Sequence, residues 1–252
     1  MVTDPLNKNT PNCIVYGEVG KYPIIHRVHH RMISFWIKIS EGKQTKLSSI
    51  IYKLIFKLHV DGTYDSPWLI CIKSILCNSG NRNFWFDQQL LAPKTFMKSE
   101  LAVHFQAQFL QEWDAEIERN RRCVAYRIFK DNCIFKTKND FVFQPYLSYL
   151  SYLDRKALAK FRSGGHTLPV TKSRYREGGG GVDVKCKFCN DILCDEFHVL
   201  FICNFFKEQR IKYLKKYYIV RPSTLKMHSL FNANRKVTLN LVKFIRFILS
   251  KF

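Results

Sequence analysis

The chain has 252 residues, 46% of them hydrophobic and 15% aromatic, enough for a packed core and too apolar for a disordered polymer. Its formal net charge is +21, from 41 Lys and Arg against 20 Asp and Glu, an excess that favours a polyanionic partner, most commonly nucleic acid. No apolar run approaches the roughly 18 residues that a membrane helix needs, so no membrane partner is expected.

Residues 1–13 are polar, with two prolines, and read as an irregular lead-in. Tyr16-Gly-Glu-Val-Gly20 reads as a turn, and Pro23 suits the first position of a helix. Ile25, Val28, Met32, Phe35 and Ile39 then recur at three- and four-residue steps, which predicts a helix with that face in the core and Gly42 as its stop. Leu47, Ile51, Leu54 and Leu58 repeat the pattern up to Asp61-Gly62. Ser66-Pro67 reads as cap and first turn of a third helix carrying Trp68, Ile72, Ile75 and Leu76. The clearest helix spans 99–122, capped by Ser99, with Leu101, Phe105, Phe109, Trp113 and Ile117 at strict four-residue spacing.

Segment 124–143 mixes aromatic with basic residues, and Phe141-Val-Phe143 suggests short strands. Helices return at 145–153 and 154–162, the latter with Asp154 as cap and Gly164-Gly165 as stop. Glu177-Gly-Gly-Gly-Gly181 is a flexible loop by composition. The last 49 residues hold 12 Lys or Arg and one acid, Glu208; Leu239, Val242, Ile245 and Leu249 predict a closing amphipathic helix. The expected architecture is mainly α: a helical region over 14–153, a zinc-binding module over 154–206 and a basic helical tail over 207–252.

Nine cysteines are present. Met1-Val-Thr-Asp-Pro lacks the apolar centre of a signal peptide, so reduced thiols in the nucleus or cytoplasm are expected, with metal in place of disulfides. Cys186, Cys189, His198 and Cys203 follow C-x2-C-x8-H-x4-C, which suits a closed tetrahedral zinc site. Cys194 offers a rival set with Cys186, Cys189 and His198; Cys203 is preferred, because the short loop from Cys189 to Cys194 leaves little room for a second half-site. Asp195 and Glu196 either orient the imidazole or start a helix. His26, His29 and His30 admit a second metal site, against the more ordinary reading of a solvated face.

Around the cysteines, Arg162, Lys172, Arg174 and Arg176 lie among aromatic residues, a mixture suited to phosphate neutralisation and base stacking, and His166 sits in a loop within reach of the same role. The competing reading is a solvated face and an ordinary polar contact. Sequence signatures of phosphate-binding loops, serine hydrolases and zinc proteases are missing, as are adjacent aspartates for a two-metal site. No catalysis and no small-molecule substrate are expected.

Several short motifs occur in a suggestive order. Tyr16-Gly-Glu-Val-Gly-Lys-Tyr-Pro23, Arg31-Met32, Phe35-Trp36, Tyr126-Arg-Ile-Phe-Lys130, Leu158-Ala-Lys-Phe-Arg162, Gly165-His-Thr-Leu-Pro169, the cysteine pair and Asp195-Glu-Phe-His198 with Cys203 resemble the C-terminal region of non-LTR retrotransposon endonuclease–reverse transcriptase polyproteins. That resemblance covers most of the chain and is most specific over the cysteines. It implies that Cys186, Cys189, His198 and Cys203 ligate zinc, with Cys194 outside the set. It also implies that the region helps grip RNA or DNA, with a reverse transcriptase core as a second partner. The tetraglycine run departs from that pattern, and the catalytic motifs of the parent proteins are missing.

Overall fold

A computed structural model describes residues 10–42, 45–88, 94–130, 141–175, 184–189 and 193–252. The chain is mainly α-helical, with no strand among the described residues, and its contacts gather into two compact units. One unit is Tyr22–Glu112; the other joins the described part of Met1–Lys21 to Trp113–Phe252. The chain therefore divides elsewhere than at residues 153 and 206.

The first helix, α1 (Asn12–Val19), lies where the sequence suggests lead-in and turn. It buries Cys13, Ile14, Gly17 and Glu18, and ends on Gly20 in the left-handed region at φ 60°. Tertiary packing explains the helix. Trp113 Nε1 donates to the Cys13 carbonyl at 2.6 Å. Gly17 leaves no room for a side chain: a Cβ there would stand 2.4 Å from the Tyr126 hydroxyl and 2.7 Å from the Trp113 ring.

The unit Tyr22–Glu112 contains α2 (Ile24–Ser40), α3 (Leu47–Val60), α4 (Pro67–Asn78), α5 (Arg82–Asp87) and most of α6 (Lys94–Arg119). As expected, Ser66 caps α4 through the Leu69 N–H, and Pro67 is its first residue. The α6 stripe from Leu101 to Ile117 is buried throughout. That helix begins five residues before the expected cap, so Ser99 instead donates to the Phe96 carbonyl at 2.8 Å.

Two expected core faces are turned. On α2 the core takes Ile33, Trp36 and Ile37 together with the expected Ile39, has the expected Met32 at its margin, and leaves Ile25, Val28 and Phe35 exposed. On α3 it takes Ser49 and Tyr52, and leaves Leu47 71%, Ile51 45% and Leu54 58% exposed. The largest aromatic sets the phase: Trp36 Nε1 donates to the Tyr52 hydroxyl at 2.8 Å, which points both helices inward along that line. Both helices carry apolar residues on two faces, so spacing alone could not choose between them.

The other unit is completed by α7 (Val124–Lys130), α8 (Tyr146–Tyr149), α9 (Tyr152–Arg162), α10 (Pro169–Tyr175), α11 (Lys207–Tyr213), α12 (Lys216–Ile219), α13 (Thr224–Phe231) and α14 (Arg235–Leu249). Residues 124–130 are thus helical where strands were suggested, and Phe141-Val-Phe143 belongs to no strand. Ser151, not Asp154, caps α9, its hydroxyl accepting the Asp154 N–H at 3.3 Å. The closing helix α14 buries Val237, Leu241, Val242, Phe244, Ile245 and Ile248 against the core that holds Leu158 and Phe161. Cys186, Cys194 and Cys203 belong to that same core. The cysteine segment and the basic tail are therefore parts of one packed body. Among the described residues no helix is long and apolar enough to cross a membrane.

Candidate metal centre

Cys186 and Cys189 occupy one tight turn, and the Cys194 N–H bonds the Val184 carbonyl at 2.7 Å. Asp195 then caps the next turn, its carboxylate accepting the His198 N–H at 2.7 Å. Residues His198–Ile202 form a π-helical turn, in which the Cys203 N–H bonds back to the His198 carbonyl at 2.9 Å. That wider turn lets a His and a Cys five residues apart face one point.

The four donor atoms of Cys186, Cys189, His198 and Cys203 all lie within 4.8 Å of one another. Cys203 Sγ is 3.8 Å from both Cys186 Sγ and Cys189 Sγ, and Cys189 Sγ is 3.3 Å from His198 Nε2. Tetrahedral Zn–S bonds of about 2.3 Å place sulfurs about 3.8 Å apart, so the donor set has the size and chemistry of a four-coordinate site. These residues can hold a metal ion. Cys186, His198 and Cys203 are buried, and Cys189 is the open edge.

Burial pushes the Cys203 thiol up to about 12. Cys186 is held below the ordinary thiol range: burial opposes this, but the N–H groups of Phe188 and Cys189 outweigh it. Cys194 lies beside Cys186 but outside the donor set, and burial keeps its thiol protonated, well above the usual range.

Arg210 escaped the sequence reading. Unlike the other cations of the tail it is buried, with Nε donating to the Leu200 carbonyl at 2.5 Å and Nη2 to the Cys203 carbonyl at 2.8 Å. It thereby fixes the last turn of the site from behind.

The residues expected to contact nucleic acid are placed differently. Arg162 is buried and paired with Glu18, its Nε 3.0 Å from Glu18 Oε1. His166 is buried as well. Its Nδ1 accepts the Leu168 N–H at 3.4 Å, so Nε2 carries the proton and donates to Glu196 at 2.9 Å. Arg174 forks onto the same carboxylate, with Nη2 at 3.0 Å from Oε2. Burial would raise the Glu196 carboxyl, but His166 and Arg174 outweigh it and hold it down to about 2. Hence Glu196 does not orient His198; it ties α10 to the metal segment. The phosphate role fails at Arg162 and His166 because both are consumed in the interior. Lys172 lies on α10 with its side chain outside the described residues; Arg176 and the loop 177–181 also lie outside them.

A surface that the sequence did not single out borders the ligands. Phe188, between the first two cysteines, stacks on half-exposed Phe205 at 4.1 Å and 10°. Lys187 Nζ lies 5.0 Å from the rings of both Phe188 and Phe252. Lys207 and Lys251 are exposed close by in the chain. The signal was present as Lys-Phe inside C-x2-C and Phe-Phe-Lys after the last ligand.

His26, His29 and His30 do not converge on a common point; the only ligand group of this kind among the described residues is the cysteine set. Comparison of the chain with family models, curated proteins and solved structures returns no match.

Proposed function

We propose that the chain is a zinc-stabilised nucleic-acid-binding module without catalysis of its own. The observation that carries this reading is the Phe188–Phe205 stack beside Lys187, built onto the turn that presents two metal ligands. The half-exposed ring of Phe205 next to lysines suits single-stranded RNA or DNA, which offers bases to stack and phosphates to neutralise. Zinc suits three thiolates and one imidazole, and a closed set of four ligands stabilises shape. The sequence resemblance extends the reading to the C-terminal region of a retroelement polyprotein, acting in the nucleus or cytoplasm beside a reverse transcriptase core.

Fluorescence anisotropy with labelled single-stranded RNA and DNA across a salt series tests the reading. Affinity is expected to fall steeply with salt. Phe205→Ala is expected to weaken binding by about 1–3 kcal/mol, the worth of one stacked base. Absence of binding at low salt, or binding indifferent to salt, overturns the reading.

A second reading has its own observation. α3 is apolar on the side away from its buried face, where Leu47, Ile50, Ile51 and Leu54 stand 45–71% exposed. A helix apolar all round is ordinarily covered. Exposed Lys46, Lys53 and Lys57 form one row along one side of that seam, and neither α2 nor α3 carries an acid, so its fitting occupant is an acidic amphipathic helix of a protein partner. A synthetic acidic helix with leucines at alternating three- and four-residue steps should bind the chain and lose at least tenfold in affinity to Leu54→Glu. Equal binding by the variant removes this reading.

A further inference from the structure

The histidine-rich turn of α2, which contributes nothing to the metal centre, lines a cavity of about 290 Å³ within the unit Tyr22–Glu112. Its walls are Tyr22, His26, Arg27, His30 and Arg31 on one side, and Ala102, Phe105 and Gln106 of α6 on the other. His26 and His30, like Arg27 and Arg31, are separated by one helical turn, so the cavity faces two adjacent rows of cationic or imidazole side chains.

No carboxylate belongs to this lining, and Arg27 and Arg31 have no acidic partner among the described residues. Burial, with a smaller effect of His29, lowers His26; Glu112 acts the other way. Burial lowers His29 as well. The two guanidinium groups therefore supply the fixed positive charge. Guanidinium forks bind phosphate oxygens in pairs. Beside them stands an aromatic wall: His26 lies 6.0 Å from the Phe105 ring, and Tyr22 meets His26 edge-on at 6.5 Å. The Gln106 amide offers both a donor and an acceptor.

From this geometry we infer that the cavity binds a nucleoside monophosphate, with Arg27 and Arg31 on the phosphate and the base against Tyr22 and His26, which Phe105 backs from the core. The volume lies at the small end of ligand pockets, about 300–1,000 Å³, which admits one nucleotide rather than two. The same chemistry is presented by a free nucleotide and by the phosphorylated end of a strand. The site belongs to the unit that lacks the metal centre and stands apart from the reading of Phe188 and Phe205.

Calorimetric titration of the full chain with adenosine 5′-monophosphate, adenosine and inorganic phosphate tests the assignment. The nucleotide is expected to bind at least tenfold more tightly than either fragment. The double variant Arg27→Ala, Arg31→Ala should weaken it at least tenfold, while the lysine pair Arg27→Lys, Arg31→Lys retains part of the affinity. Competition by a 5′-phosphorylated oligonucleotide, and none by its 5′-hydroxyl counterpart, identifies the strand end as the source. Nucleotide binding without such competition identifies the free nucleotide. Failure of the nucleotide to bind, equal binding of phosphate alone, or indifference to the arginine variants overturns the assignment. The alanine pair should leave the effect of Phe205→Ala on oligonucleotide binding unchanged, so the two proposals fail separately.

Discussion

Purified with one equivalent of zinc, the chain is expected to lose the metal when Cys203 becomes serine and to keep it when Cys194 does. Both thiols are buried within the same core. They differ in that Cys203 Sγ stands 3.8 Å from two other ligand sulfurs, whereas Cys194 is outside the four-donor set. Cys203→Ser therefore leaves three donors around the metal. The consequence reaches the fold, because the ligands sit among Leu200, Phe206 and the residues of α14. Structural zinc in small fingers binds with about 10–16 kcal/mol, which becomes folding energy when apo and holo states differ. Here the core is larger, so chelation is expected to lower the melting temperature by roughly 10 °C or more without unfolding the chain at room temperature. Metal analysis by mass spectrometry, together with thermal denaturation with and without chelator, provides the measurements. Zinc retained by Cys203→Ser and lost from Cys194→Ser would reverse the ligand assignment. Equal melting temperatures of apo and holo chains would remove its structural role.

The cluster that can hold a metal ion was legible because coordination chemistry restricts residue type and spacing together. Four soft donors within 18 residues leave few arrangements, and the π-helical turn at His198–Ile202 adjusts the backbone to suit. The long α6 was legible because Leu101, Phe105, Phe109, Trp113 and Ile117 recur at strict four-residue spacing, and all five are buried. α2 and α3 were not, since both of their faces qualify and the choice was made by the Trp36–Tyr52 hydrogen bond, a contact between helices. Charge misled for a related reason. Arg162, Arg174, His166 and Arg210 look like surface cations in a basic chain, yet each has partners that lie elsewhere in sequence: Glu18, Glu196 and the carbonyls of Leu200 and Cys203. Composition counts cations; it does not reveal which of them have already found an acid or a carbonyl.

The second large effect is expected at the farthest of those pairings, Glu18 with Arg162. Both side chains are 2% exposed, and 144 residues separate them in sequence. Arg162 Nε lies 3.0 and 3.2 Å from the two carboxylate oxygens, and its Nη2 reaches Gln144 at 3.3 Å. The Tyr146 hydroxyl donates to Glu18 Oε2 at 2.5 Å. The remaining nitrogen, Nη1, has no partner, and the guanidinium lies over the rings of Phe129 and Tyr146 at 5.5 and 5.7 Å. Glu18→Ala should therefore leave a buried cation uncompensated and destabilise the chain by about 3–5 kcal/mol. Arg162→Ala should cost a similar amount, because it strands the carboxylate in the same dry surroundings. Removing both charges together with the Tyr146 hydroxyl is a different matter, because what stays behind, the Tyr126 hydroxyl and Gln144, is uncharged. Glu18→Leu combined with Arg162→Met and Tyr146→Phe replaces charges and hydroxyl by apolar groups of similar size, and a buried pair exchanged in this way is often neutral. The triple variant is thus expected to be more stable than either alanine variant alone. Urea denaturation of the three proteins, with the metal kept saturating, decides the point. A triple variant as unstable as the summed losses would mean that the network contributes net stability through its own attractions. A triple variant about as stable as the unsubstituted chain would mean that the network's contribution is selectivity: it fixes how α1 meets α9 across the length of the chain.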